Sequence, residues 1–214
     1  DMYTTIVSFF QQGGVFMYPI VIVLGLGVAI AIERWVYLTK ARMTNQRVWK
    51  QLAPLESDGK YNEAQEIAGK SASAMGNVLS YGLNRIRSAR RRDDIEKAME
   101  ESLLEVLPKL EKRTHYLATF ANIATLLGLL GTIIGLIRAF TAVSAANPAE
   151  KADLLSASIS VAMNTTAFGL IVAIPLLLAH TLLQTKTTEL VDNLEMAAVK
   201  FLNTVTERAR PQGA

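Results

Sequence analysis

Three stretches of this chain, residues 2–32, 114–137 and 154–185, contain no Asp, Glu, Lys or Arg. Each exceeds the roughly 20 residues of helix that cross about 30 Å of hydrocarbon. Lipid offers no partner for backbone N–H and C=O groups, so a spanning segment must satisfy them internally. The expectation is an all-α membrane protein with three transmembrane helices. The first stretch does not read as a cleavable signal. Its apolar part is too long, no basic region precedes it, and it ends in Glu33-Arg34-Trp35 rather than in small residues.

Charge placement predicts the topology. Residues 40–113 hold most of the Lys and Arg, including the basic run 85–92, and residues 1–17 hold none. The positive-inside rule then puts the N-terminus outside, 40–113 in the cytoplasm, a short loop at 144–152 outside, and the C-terminus inside. A basic run can also mark nucleic-acid binding. Here it sits where topology already demands cations, so anionic lipid headgroups are the better local partner and no nucleic acid is expected.

In order, residues 1–14 read as an interfacial amphipathic helix on the periplasmic side, closed by Gly13-Gly14, and 15–38 as the first span. Residues 39–92 read as a cytoplasmic segment of three short helices, the first stopping near Ser57-Asp58-Gly59. Asp93 or Asp94 is the expected N-cap of one long helix over 93–143 that contains the second span, kinked at Pro108. A helix over 153–207 carries the third span. Beyond it Leu183, Thr187, Leu190, Leu194, Ala197, Phe201 and Val205 hold a near-heptad repeat. Residues 208–214 read as a frayed tail. The second and third spans thus extend far into the cytoplasm as a long antiparallel hairpin. Its apolar faces look too large for one chain to hide, which favours an oligomer.

No phosphate loop, paired-histidine helix or Ser/His/Asp set appears, and no catalytic residue is assigned. The chain has no cysteine, and its histidines, His115 and His180, are far apart, so no metal site is expected. What stands out is polar groups deep in apolar helices. Thr125, Gly128, Thr132, Gly135 and Ala139 recur at helical spacing in the second span, and Thr166, Gly169 and Ala173 in the third. With Thr165 and Asn164, the threonines are candidates for an ion path. Gly128, Gly131, Gly135 and Gly169 are candidates for close helix packing. The plainer alternative is that each hydroxyl bonds a nearby carbonyl and merely glues the bundle. No Asp or Glu lies deep in the second or third span. Hydroxyls do not titrate near neutral pH, so a proton path would need a carboxylate from another chain.

The chain resembles the MotA/TolQ/ExbB proton-channel family, most closely its ExbB/TolQ branch. The residues that carry the likeness are 13–20, Gly-Gly-Val-Phe-Met-Tyr-Pro-Ile, entering a span that ends Ile32-Glu33-Arg34-Trp35. The runs Gly-Leu-Leu-Gly-Thr-Ile-Ile-Gly at 128–135 and Thr-Thr-Ala-Phe-Gly-Leu-Ile-Val-Ala-Ile-Pro at 165–175 carry it more firmly. The resemblance implies a homopentamer in the bacterial inner membrane around two single-span, ExbD/TolR-like subunits whose membrane Asp supplies the missing carboxylate. A TonB-like protein is a further possible partner. No cofactor is implied, only H⁺ or Na⁺ as the transported ion. Thr132 and Thr166 match the threonines that line the family's ion route. One position departs: where ExbB and TolQ usually carry Glu, five residues before the third-span Thr, this chain has Val161. The neutral oxygens of Asn164, Thr165 and Thr166 tilt the reading toward sodium and leave H⁺ open. A non-conducting membrane scaffold is the competing class. A substrate transporter is disfavoured because no inverted repeat or pair of broken helices is visible.

Overall fold

A computed structural model describes residues 1–210. It contains seven helices among those residues: α1 (Met2–Gln12), α2 (Met17–Ser57), α3 (Tyr61–Lys70), α4 (Ala74–Arg85), α5 (Arg92–Glu111), α6 (Thr114–Ala145) and α7 (Lys151–Ala209). Three helical stretches are long and apolar enough to span a membrane, which fits the expected three-span, all-helical class. Most of the tail expected at 208–214 lies outside the described residues. The chain forms two compact units. One comprises Asp1–Glu33 with Arg113–Leu182, the other Arg34–Lys112 with the chain from Leu183 onward.

In the first unit the breaks are local and explicable. Gly14 sits at φ +82°, a conformation that ends α1 and that L side chains rarely adopt. The ring of Phe10 on α1 meets Tyr18 on α2 and Phe168 on α7 edge-on, at centroid distances of 5.4 and 6.0 Å. Inside the unit the buried residues of α6 are mostly small, Ala121, Ala124, Gly128 and Gly131 among them, with Leu117 the large one. Large apolar side chains such as Leu126, Ile137, Ile171 and Leu178 point outward.

The second unit reverses that order. Leu52, Leu79, Leu110, Leu190, Leu194 and Phe201 are fully buried. Phe201 of α7 and Met99 of α5 meet α4 at Gly82, where an added Cβ would lie 2.7 Å from the phenyl ring. Helix α4 begins at Ser73, whose Oγ accepts from the Gly76 N–H at 3.0 Å.

Several expectations change. The helix of the first span does not stop at residue 38. It continues through Val48 and Leu52 as one 41-residue helix to Ser57. The single helix expected over 93–143 is two. The break lies at Lys112–Arg113, with Arg113 at φ 63°, and Pro108 stays inside α5. Such a break strips α5 of its last intrahelical partners. Arg34 replaces them: its Nη2 donates to the carbonyls of Lys109 and Leu110 at 2.9 and 3.1 Å. Arg34 is 1% exposed, so it is a buried helix clasp. Asp94 is not the N-cap of α5. It sits one turn in, and its Oδ2 accepts from the N–H groups of Arg90 and Arg91 at 2.9 and 3.1 Å. The heptad seam from Leu183 to Val205 is buried within a single chain. Helices α2, α4 and α5 already cover it, so that seam gives no argument for an oligomer.

Candidate ion-path site

The second and third spans meet where side chains are smallest. A Cβ on Gly128 would lie 3.1 Å from the Thr165 carbonyl, 3.2 Å from Thr166 Cα and 3.3 Å from Gly169 Cα. A Cβ on Gly169 would lie 2.6 Å from the Ala124 carbonyl. On Gly131 it would run into the Thr165 methyl, and on Gly135 it would come within 3.0 Å of Ala162 Cβ. The four glycines singled out in the sequence therefore all lie in one helix–helix contact, where any larger residue would hold the backbones apart. Its partners descend along α7 as they ascend along α6.

That approach brings hydroxyls and carbonyls together. Thr132 Oγ1 lies 3.2 Å from the Gly128 carbonyl on its own helix and 3.0 Å from the Ala162 carbonyl on α7. It also contacts Thr166 Oγ1 directly. Thr166 Oγ1 in turn donates to the Gly128 carbonyl at 3.2 Å. Two hydroxyls and two backbone carbonyls thus form one cluster of neutral oxygens, half-buried in an otherwise apolar pair of helices. Neutral oxygen donors suit hard monovalent cations and proton-carrying water better than they suit soft metals.

The remaining candidates divide. Thr165 is buried, and its hydroxyl donates to the Gly13 carbonyl and to the Val161 carbonyl, the latter at 3.1 Å. It ties α7 to the C-terminal end of α1. Asn164 is half-buried one position earlier. Thr125 is exposed, bonds the Ala121 carbonyl at 3.1 Å, and lies about 10 Å along the helix axis from Thr132. It does not join the cluster. Three acceptors are unmarked in the sequence, the carbonyls of Gly128 and Ala162 in the cluster and that of Gly13 beside Thr165. Backbone acceptors carry no sequence signature. The Gly13-Gly14 pair was legible only as a helix break. Gly27 was missed as well: Leu176 of α7 packs where its Cβ would be, 2.5 Å from the leucine methyl.

Residues 70–196, more than half of the chain, match the family described as the MotA/TolQ/ExbB proton channel family. The chain belongs to that family. A Methanothermobacter thermautotrophicus protein described as a biopolymer-transport ExbB homologue is 29% identical over 199 residues, covering 92% of this chain and 69% of the relative. The ExbB biopolymer transport protein of Aquifex aeolicus is 32% identical over 112 residues, 52% of this chain and 73% of its own length. The Tol-Pal system protein TolQ of Haemophilus influenzae is 36% identical over 84 residues, 39% of this chain and 36% of its own. These relatives place the chain in the ExbB/TolQ branch. The matched region contains the whole threonine–glycine contact, and the family is one of transport-energising channel subunits rather than enzymes.

Proposed function

We propose that the chain is an ion-conducting, stator-like subunit of the bacterial inner membrane. It works with an ExbD/TolR-like partner whose single span carries an Asp. Ion flow down the proton or sodium gradient drives movement of one subunit set against the other, and the output is work on the periplasm or outer membrane of the TonB or Tol kind. The N-terminus is periplasmic, the C-terminus cytoplasmic, and α6 and α7 line a homopentameric ring around a dimer of the partner.

One observation carries this reading: Thr132, Thr166 and the carbonyls of Gly128 and Ala162 converge in the apolar spans, and no acid accompanies them. Such a cluster can ligate or relay a cation, but it cannot bind and release a proton at neutral pH. A partner carboxylate completes it. Thr132→Ala and Thr166→Val should each abolish ion-driven activity while assembly persists. Activity in sodium-free buffer, with and without a protonophore, identifies the ion.

A second reading is favoured by one fact: both hydroxyls already have carbonyl partners within the chain. A non-conducting scaffold needs no more than that. It predicts full activity in Thr166→Val and loss of assembly in Gly131→Leu.

A further inference from the structure

We propose that a hollow walled by Arg42, Asn45 and Lys200 receives the carboxylate-rimmed face of a second copy of this chain, formed by Glu96, Glu100 and Glu195. The contact repeats head-to-tail around the ring. This inference rests on the ring reading above and supplies the contact that reading lacks.

Both surfaces belong to the second unit and flank the same helix. Between Leu190 and Leu202, α7 buries Leu194 and Phe201. At 3.6 residues per turn, Asn193, Ala197 and Lys200 fall on one flank of that seam. Glu195, Val199 and Leu202 fall on the other, about half a turn away. The first flank faces α2 across a hollow of about 220 Å³. The second faces α4 and α5 across one of about 230 Å³.

Their charges are opposite and uncompensated. Arg42 and Lys200 line the first hollow and no carboxylate does. Glu96, Glu100 and Glu195 line the second and no cation does. None of these five makes an ion pair among the described residues. Glu96 and Glu100 stand one helical turn apart, a like-charge spacing that disfavours the helix unless cations answer it.

Asn45 lines the basic hollow and carries a donor that lacks an acceptor. Its side chain is 3% exposed. The amide oxygen is fixed by the Met75 N–H at 3.1 Å, which leaves the amide NH₂ as the other end. That nitrogen is buried and has no partner among the described residues. A buried donor without an acceptor is costly, and a carboxylate answers both it and the flanking cations. Met196 and Val199 stand exposed on α7 between the two hollows and supply apolar area for the same contact.

The occupant is a second copy because the chain carries both halves of the match. Complementary patches on different flanks of one subunit generate a heterologous interface, which closes into a ring when the rotation permits. A two-fold contact centred on either hollow would set like charges against each other, and one pairing both at once would need them on one face, whereas they lie about half a turn apart.

The absence of cysteine makes the test direct. The full chain is expressed with Gln46→Cys and Glu100→Cys together and oxidised in membranes. A ladder of cross-linked multimers that neither single variant gives supports the contact. In parallel, Arg42→Glu with Lys200→Glu should lower the ring fraction about tenfold or more, by the mass of the solubilised complex. Glu96→Lys, Glu100→Lys and Glu195→Lys together should do the same. Carrying both sets in one chain restores complementarity and should restore rings. Unchanged helicity and melting temperature in each variant confirm folding. Rings that survive both reversals, with no ladder, overturn the contact and leave the ring reading standing. A monomeric unsubstituted chain overturns both. A glutamate-rich peptide that binds the Arg42 hollow of intact rings shows a different occupant and also overturns it.

Discussion

In the unit formed by Asp1–Glu33 and Arg113–Leu182, α6 and α7 touch through Ala124, Gly128, Gly131 and Gly169, while Leu126, Ile133 and Ile174 face out. In the unit formed by Arg34–Lys112 and the chain from Leu183, they touch through Leu79, Leu194 and Phe201, while Glu96, Lys97 and Glu100 face out. The inversion follows from the solvent. Water rewards burying large apolar side chains, at about 25 cal/mol per Å². Lipid gives no such reward, so helices there associate by close backbone approach and interhelical hydrogen bonds, which small residues allow. Helices α2 and α7 run through both regimes and change side-chain pattern on the way.

This contrast can be broken experimentally. The largest expected effect is in the second unit: Phe201→Ala should cost about 3–5 kcal/mol of its stability, read from denaturant or thermal unfolding. The same unit holds the clearest pH dependence. Burial pushes the Glu56 carboxyl from 4.5 up to about 8. Folding therefore holds its proton more tightly than the unfolded chain does. That contribution to stability is full below about pH 4.5 and is lost progressively as pH climbs through about 8. Glu56→Gln should flatten the decline and raise stability at pH 8 by on the order of a few kcal/mol, measured as melting temperature against pH. In the first unit, Gly128→Ala places a methyl 3.1–3.3 Å from opposing backbone atoms. Overpacking of that kind should cost about 1–3 kcal/mol, seen as loss of assembled protein in detergent. The smallest effect should come from Leu126→Ala, 61% exposed, within about 0.5 kcal/mol in lipid. A loss as large as that of Phe201→Ala there would show that Leu126 is covered by another chain rather than by lipid.

The spans were legible because uncharged runs of that length have few alternatives, and the close contact was legible in the recurrence of Gly128, Gly131 and Gly135. Helix ends were harder. Nothing in Lys112-Arg113 announces a break, whereas Pro108 does and produces none, because the break depends on Arg34, distant in sequence, taking over the freed carbonyls. The threonine cluster was legible as hydroxyls on two stripes. Its carbonyl half was not, since the Ala162 and Gly128 oxygens become ligand atoms only once α6 and α7 meet. Thr125 looked equivalent to Thr132 by spacing, yet α7 does not answer it.

The direction of the hydroxyl bonds has a selectivity consequence. In the spans, Thr125 and Thr165 aim their hydroxyls at backbone carbonyls, while those of Thr132 and Thr166 share two carbonyls and contact each other. On the ion path proposed above, this set would offer a visitor mainly the lone pairs of neutral oxygens. A chloride or other anion would find only repulsion there, whereas a bare cation or the O–H of a hydronium would find acceptors already oriented. On that proposed path the chain's own share in selecting charge sign would come from neutral oxygens, with the partner carboxylate adding the charge.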